Sequence, residues 1–324
     1  AKGIRFYETG APEVLRWESL PVGDPGTGEV RVRHVAVGLN FADTYFRTGL
    51  YPAPLPAGMG VEAAGVIEAV GPGVTDFAEG DRVTYTGSPL GAYSTERVMD
   101  VGPLIKLPDT IPFETAAAMT MRGLTTSYLL RRIADLNAGD TVLLHAAAGG
   151  VGLLLCQIAS RQRGARVIGT VSTEEKAALA REAGASDVIL YTRQDFVAEV
   201  KRLTGGAGVQ VVYDSVGRTT FDKSLDCLAR RGLLALFGQS SGPVPPLDPQ
   251  LLNQKGSLYL TRPNLAHYAV PPAELRERAG ELLAWIARGE LSLRIDAELP
   301  LAEAVEAHRR LESRETTGKL LLIP

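Results

Sequence analysis

The 324-residue sequence is poor in cysteine, with only Cys156 and Cys227. Two thiols exclude a disulfide scaffold and a four-cysteine metal site. They make a reducing, cytoplasmic setting the expectation. No apolar run is long enough to span a bilayer, and the first residues carry no secretory core, so neither a membrane span nor an export signal is expected. A long basic run is also missing, and the formal net charge is −3. A nucleic acid or an anionic membrane is therefore not expected as the main partner. Aromatics make up 6% of the residues and interleave with no basic stripe. The four histidines, His34, His145, His267 and His308, show no metal-ligand spacing. No nucleophile elbow stands out, and no internal repeat or low-complexity tract occurs. What remains is the composition of a globular protein, 45% hydrophobic and 22% charged, long enough for about two domains.

The most informative stretch is Thr141-Val-Leu-Leu-His-Ala-Ala-Ala-Gly-Gly-Val-Gly152. Thr141–Leu144 reads as a buried strand, and Val151–Ala159 as the start of a helix. Between them lies Ala147-x-Gly149-x-x-Gly152, a dinucleotide fingerprint with alanine at its first position. Gly149 lets the backbone approach a pyrophosphate, and Gly152 lets the helix pack closely on the strand. The unpaired N–H groups of the first helical turn then face the phosphates. A glycine triplet alone is a weak signal; the strand before it and the helix after it supply the context that the motif requires.

The flanking sequence agrees. Lys2 to about Met121 reads as short strands and turns: Glu29–Val37 alternates apolar and polar residues, and Val61–Val70, Asp81–Tyr85 and Tyr93–Val98 follow it. This pattern suggests a partly closed, barrel-like β domain. Phe113–Met119 and Leu124–Leu130 read as two linking helices. From Asp140 to Thr261 strands alternate with amphipathic helices. The strands are expected at 141–145, 166–171, 187–190, 209–214, 232–237 and 257–261, and the helices at 151–163, 174–183, 196–204 and 221–230. Such alternation implies an α/β Rossmann fold with a doubly wound parallel sheet. After Arg262 come an amphipathic helix at 274–287, a second from about 301 to 311, and a closing strand at 319–323. These are expected to return to the first domain and make it discontinuous. The expected division is 1–121 and 262–324 for the mainly β domain, and 122–261 for the Rossmann domain.

An acid about twenty residues after the last glycine selects NAD by binding the ribose 2′-OH. Here that position is Ser172, in Ser172-Thr-Glu-Glu-Lys176. Serine leaves room for a 2′-phosphate, and Lys176 can reach it as a point charge. We read NADPH as the cofactor; the alternative is that Lys176 is an ordinary surface lysine. Glu174 and Glu175 argue the other way, but carboxylates are favoured in a first helical turn in any case.

Several stretches together resemble a known family. His145–Gly152, Val212-Tyr-Asp-Ser-Val-Gly217, Leu236-Phe-Gly-Gln-Ser-Ser241, Asn253-Gln-Lys-Gly-Ser257, Gly38-Leu-Asn-Phe-Ala-Asp-Thr-Tyr45 and Gly49-Leu-Tyr-Pro52 look like those of quinone oxidoreductases. These form the zinc-independent, zeta-crystallin-like branch of the medium-chain dehydrogenase/reductase superfamily. The resemblance covers essentially the whole chain. It implies a GroES-like catalytic domain beside the Rossmann domain, NADPH in the cleft between them, quinone substrates and a homodimer. Carried over by position, Asn40, Asp43 and Tyr45 line the nicotinamide side, with Tyr51 at the mouth and Thr126 approaching from the linking helix. Gly149, Gly150 and Val151 hold the pyrophosphate, and Ser172, Lys176 and Tyr191 surround the adenosine phosphate. Ser215, Phe237, Gly238 and Ser240 follow the ribose and nicotinamide, while Arg262, Asn264 and Arg314 complete the set.

Zinc-dependent relatives place Cys, His and Glu around a catalytic metal. Here the Gly-His-Glu position reads Gly60-Val61-Glu62, and the early cysteine position falls in Gly38-Leu39-Asn40. Valine cannot ligate zinc, so no metal is expected. A quinone is electrophilic enough to need only stacking near the nicotinamide and hydrogen bonds to a developing oxyanion. Asn40, Tyr45 and Tyr51 are the expected donors. An enone reductase would use the same machinery. A different class, a cofactor-binding protein with a structural or RNA-binding role, is also known among similar chains; the acidic net charge speaks against it. The apolar stretch at 256–261 would end the sheet, and two such edges joined across a two-fold axis would give the dimer.

Overall fold

The computed structural model describes residues 1–269, 271–313 and 315–324. The chain forms two compact units, one of Ala1–Leu124 with Ala269–Pro324, the other Thr125–Tyr268. Among the described residues no helix is long and apolar enough to cross a membrane.

The first unit opens with β1 (Lys2–Phe6), β2 (Arg16–Ser19) and β3 (Glu29–Gly38). The short helix α1 (Phe41–Arg47) follows, then β4 (Ala57–Gly58), β5 (Glu62–Val70), β6 (Arg82–Thr86), β7 (Glu96–Asp100) and β8 (Ile105–Lys106). β3 is the spine: its alternating side chains bury Val30, Val32 and His34. It pairs with β5 and β7, both antiparallel. β7 begins later than the expected Tyr93–Val98, because the backbone of Tyr93 bonds to Ile4 and Met59 and that of Thr95 to Lys2 before the pairing with β3 starts at Glu96. α2 (Phe113–Tyr128) is one continuous helix, not the two expected. Gly123 lies between the two expected segments, and a helix tolerates one glycine at about 1 kcal/mol. A Cβ there would press Met119 and Leu282, at 2.9 and 3.0 Å, so glycine serves packing.

The second unit is the alternating α/β segment. Its strands and helices run β9 (Thr141–His145), α3 (Gly150–Gln157), β10 (Arg166–Val171), α4 (Glu174–Glu182), β11 (Asp187–Leu190), α5 (Phe196–Leu203), β12 (Val209–Asp214), α6 (Phe221–Asp226), β13 (Leu228–Leu236), α7 (Gln250–Gln254) and β14 (Tyr259–Thr261). All the strand pairs are parallel, and the order is β11-β10-β9-β12-β13-β14. Counted from β9, this is the 3-2-1-4-5-6 order of the Rossmann fold, and it reverses between β9 and β12. α6 ends four residues before the expected Arg230, because Leu228 already pairs with Val209 and starts β13. The core of this sheet holds Leu143, Ile168, Val212, Leu234 and Phe221.

The chain then returns to the first unit through α8 (Pro272–Ala287), β15 (Ile295–Pro300), α9 (Ala304–Glu312) and β16 (Lys319–Ile323). β16 pairs with β3, which builds the sheet β15-β16-β3-β5-β6-β8 from both ends of the sequence. The β unit is thus discontinuous in sequence. Its core joins Leu320 and Leu322 to Val32, Val37, Ile67 and Tyr85.

Candidate active site

In the α/β unit the fingerprint turn begins at the end of β9. Ala146 takes a left-handed conformation, φ +54°, and Gly149 caps α3. Glycine offers no side-chain oxygen, so the first turn of α3 has no side-chain cap, in contrast to α4 and α5, capped by Thr173 and Asp195. Gly150 and Val151 open this first turn. A Cβ at Gly152 would lie 2.3 Å from the Ala146 carbonyl oxygen, so the helix sits as close to the strand as the motif demands. Backbone donors at a helix N-terminus suit a pyrophosphate.

Ser172 directly follows β10, Tyr191 follows β11, and these strands are neighbours. Lys176 lies in the first turn of α4, and Tyr191 is 50% exposed. The three therefore share one edge of the sheet, at strand ends that bear no carboxylate. Ser215 follows β12, and Phe237 and Gly238 follow β13. The Phe237 and Gly238 N–H groups donate to the Asp214 carbonyl at 2.9 and 3.3 Å, and the Ser240 N–H donates to the Ser215 carbonyl at 3.1 Å. These later strand-end turns are thus tied to one another. Thr126 is fully buried in α2. Arg262 and Asn264 are exposed beyond β14, where the Asn264 side chain accepts from the Ala266 N–H. Arg314 lies outside the described residues.

In the β unit Asn40 caps α1, and Asp43 completes a capping box by accepting from the Asn40 N–H at 2.9 Å. The Asn40 amide donates to the Gly38 carbonyl and the Glu62 carboxylate, and its Oδ1 accepts from Lys319. Both amide protons are therefore spent within the protein. To act as the expected oxyanion donor Asn40 would have to release one of these bonds; as it stands, it holds the start of α1 in place. Tyr45 and Tyr51 do come together, with ring centroids 5.2 Å apart, edge to face. The Tyr51 N–H donates to the Tyr45 carbonyl at 2.9 Å.

Two clusters here escaped the sequence reading. Lys319 and Glu62 form a fully buried ion pair, and the second Glu62 oxygen accepts from the Met121 N–H. Burial drives the Lys319 ammonium below the usual lysine range, against the pull of Glu62. Tyr93 donates to Asp43 at 3.0 Å and meets His308 Nε2 at 3.3 Å, while Arg47 donates to His308 Nδ1 at 2.9 Å and pairs with Glu312. Burial raises Asp43 above the ordinary carboxylate range, opposed by the Asn40 and Tyr93 donors. A lysine opening an apolar strand was the one available signal for the first pair. Nothing in the sequence brings residues 47, 93 and 308 together.

These residues do not fit a catalytic zinc. Val61 has no ligating atom, and Glu62 is already satisfied by Lys319, Asn40 and a backbone N–H. Among the described residues no group of three His, Cys, Asp or Glu side chains could hold a metal.

Two family models match the chain, the alcohol dehydrogenase GroES-like domain over residues 26–109 and the zinc-binding dehydrogenase over 150–285. The quinone oxidoreductase of Pseudomonas aeruginosa is 52% identical over 325 residues, covering all of both chains. The chain belongs to the quinone oxidoreductase family. The solved structure of the Escherichia coli quinone oxidoreductase in complex with NADPH superposes with a TM-score of 0.97, at 49% identity and full coverage of both chains. The 2-haloacrylate reductase of a Burkholderia species is 45% identical over 98% of each chain.

Proposed function

We propose that this protein reduces quinones with NADPH and without a metal. The observation that carries the reading is kinship along the entire chain with quinone oxidoreductases, one of them solved with NADPH. The site agrees. The first turn of α3, at Gly149, Gly150 and Val151, receives the pyrophosphate. Ser172, Lys176 and Tyr191 receive the 2′-phosphate, which the carboxylate-free end of β10 admits. The turns bearing Ser215, Phe237, Gly238 and Ser240, with Thr126, Arg262 and Asn264, carry the remainder of the cofactor. The bound nicotinamide supplies the hydride. The Tyr45 and Tyr51 hydroxyls donate to the quinone oxygen as it gains negative charge. Asn40 and Asp43 position the helix that presents Tyr45.

Fluorescence titration with NADPH and NADH tests the cofactor assignment. Lys176→Ala removes one charge-assisted contact, worth roughly 1.5–3 kcal/mol or about 10- to 150-fold in affinity. The variant is expected to lose NADPH affinity by that factor and to keep its NADH affinity. Equal binding of both cofactors by both proteins would remove the assignment.

A second substrate class is favoured by the kinship with a 2-haloacrylate reductase. An alkene conjugated to a carbonyl accepts hydride with the same donors and no metal. Turnover with simple quinones and with simple enones separates the two; activity on enones alone would displace the quinone reading. We also propose a cytoplasmic homodimer. The free, buried thiols of Cys156 and Cys227 suit a reducing compartment. β14 ends the six-stranded sheet, and its Tyr259 is 62% exposed. Two such edges pairing across a two-fold axis would continue the sheet. Sedimentation at micromolar concentration should give a dimer that Tyr259→Lys weakens; a wild-type monomer contradicts it.

A further inference from the structure

Beneath the fingerprint turn lies a chain of buried polar side chains that the proposed cofactor contacts do not include. It starts on β10, where the Thr170 hydroxyl lies 2.9 Å from His145 Nδ1. His145 Nε2 lies 2.9 Å from the Ser224 hydroxyl of α6, which donates in turn to Asp214 Oδ2 at 3.2 Å. Thr170, His145, Ser224 and Asp214 are all buried. The chain thus joins the C-terminal ends of β9, β10 and β12 at the point where the strand order reverses.

Its direction follows from Asp214. A carboxylate accepts and does not donate. Oδ1 takes the N–H groups of Val216 and Gly217, at 2.7 and 3.0 Å, and Oδ2 takes the Thr220 hydroxyl at 2.7 Å. The Ser224 proton therefore points at Asp214, and its oxygen must accept from His145. That fixes His145 as the Nε2–H tautomer, with Nδ1 accepting from Thr170. Burial pulls the imidazole below its ordinary pKa against the opposing charge of Asp214, and the edge of Phe196 packs on the ring with centroids 4.9 Å apart.

The two ends of the chain, Thr170 and Asp214, are also attached to turns. The Thr170 carbonyl accepts from the Ala147 N–H at 3.1 Å, at the start of the fingerprint turn. Asp214 shapes the turn at 215–217 with its carboxylate and the turn at 237–238 with its carbonyl. We propose that Asp214, acting through Ser224 on His145, is the positioning residue that holds the fingerprint turn in register with the turns at 215–217 and 237–238. This inference rests on the NADPH reading above.

Asp214→Asn tests it. The new amide would donate to Ser224, which would then donate to His145 and turn the ring into the Nδ1–H tautomer. Nitrogen-15 NMR of the histidine side chains reads that change. NADPH and adenosine 2′-monophosphate are titrated in parallel, since the smaller ligand reaches only the Ser172, Lys176 and Tyr191 group. We expect Nε2–H in the wild type and Nδ1–H in Asp214→Asn. NADPH affinity is expected to fall about 10-fold, with the monophosphate affinity unchanged. Ser224→Ala keeps the Asp214 turns but cuts the chain, and serves if Asp214→Asn does not fold. It should release His145 to a mixture of tautomers and weaken NADPH alone, about threefold. An Nδ1–H ring in the wild type, an unchanged NADPH affinity in the variant, or equal losses for both ligands would each overturn the inference. A wild type that binds no NADPH would instead overturn the cofactor reading on which it rests.

Discussion

Lys319 and Glu62 place two opposite charges in the interior of the β unit, each with a side chain fully shielded from solvent. Such a pair contributes little net stability, but breaking it leaves a charge without a partner. Lys319→Met should therefore destabilise the protein by about 3–5 kcal/mol in urea unfolding. Adding Glu62→Gln should restore more than half of that loss; no recovery would mean that the lysine stem, not its charge, carries the effect. The buried histidines set an acid limit. His34 donates from Nδ1 to the Ser94 carbonyl and accepts from Tyr85, and burial pushes it down to about 4. His308, between Arg47 and Tyr93, is pushed down to about 3 by burial and by Arg47. The unfolded rings take up protons as pH falls through about 6.5, while the folded rings resist. Stability should thus fall as pH drops from about 6.5 toward 4, by roughly 3 kcal/mol for His34 alone. Asp43 acts with the opposite sign, because its raised folded pKa favours the folded state in acid. Two depressed histidines outweigh it. Melting temperatures across this range check the sign, and His34→Gln should flatten the slope.

At the level of elements, α3 and β9 meet at Gly152, where a Cβ would press two backbone carbonyls at 2.3 and 2.7 Å. Backbone cannot give way as a side-chain end can. Gly152→Ala should cost at least about 1–3 kcal/mol and should weaken NADPH; unchanged stability and affinity would show that the turn has slack. The strands of the α/β unit were legible because each is a short apolar run bounded by turn residues, as in Arg166–Val171 and Asp187–Leu190. Where reading and structure part, tertiary pairing decided. Leu228 is drawn into β13 by Val209, so α6 stops early. Gly123 stays within α2 because Met119 and Leu282 leave no room for a larger residue. Periodicity in sequence carries no information on either contact.

At the scale of the whole molecule, the discontinuous β unit was legible from the loss of strand–helix alternation after Arg262. Its partner was not, since only the fold pairs Leu321 and Leu322 with Gly38 and Val37. The fingerprint turn was legible for a physical reason: close packing of a helix on the strand before it needs glycines at fixed spacing, and spacing survives in a linear text. The buried polar contacts of Lys319 and Asp214 were not, because a buried polar residue is recognised by its distant partners. A ligand that binds only the folded chain also raises its stability by mass action. NADPH at a hundredfold excess over its dissociation constant should therefore add about 2.7 kcal/mol, read as a raised melting temperature that NADH does not match.

The central claim is tested most directly by following NADPH absorbance with purified protein and a simple para-quinone in the presence of a metal chelator. The account predicts quinone-dependent NADPH oxidation that the chelator leaves unchanged and that NADH supports much more weakly. NADPH binding without quinone-dependent oxidation, or activity lost to the chelator and restored by zinc, would contradict it.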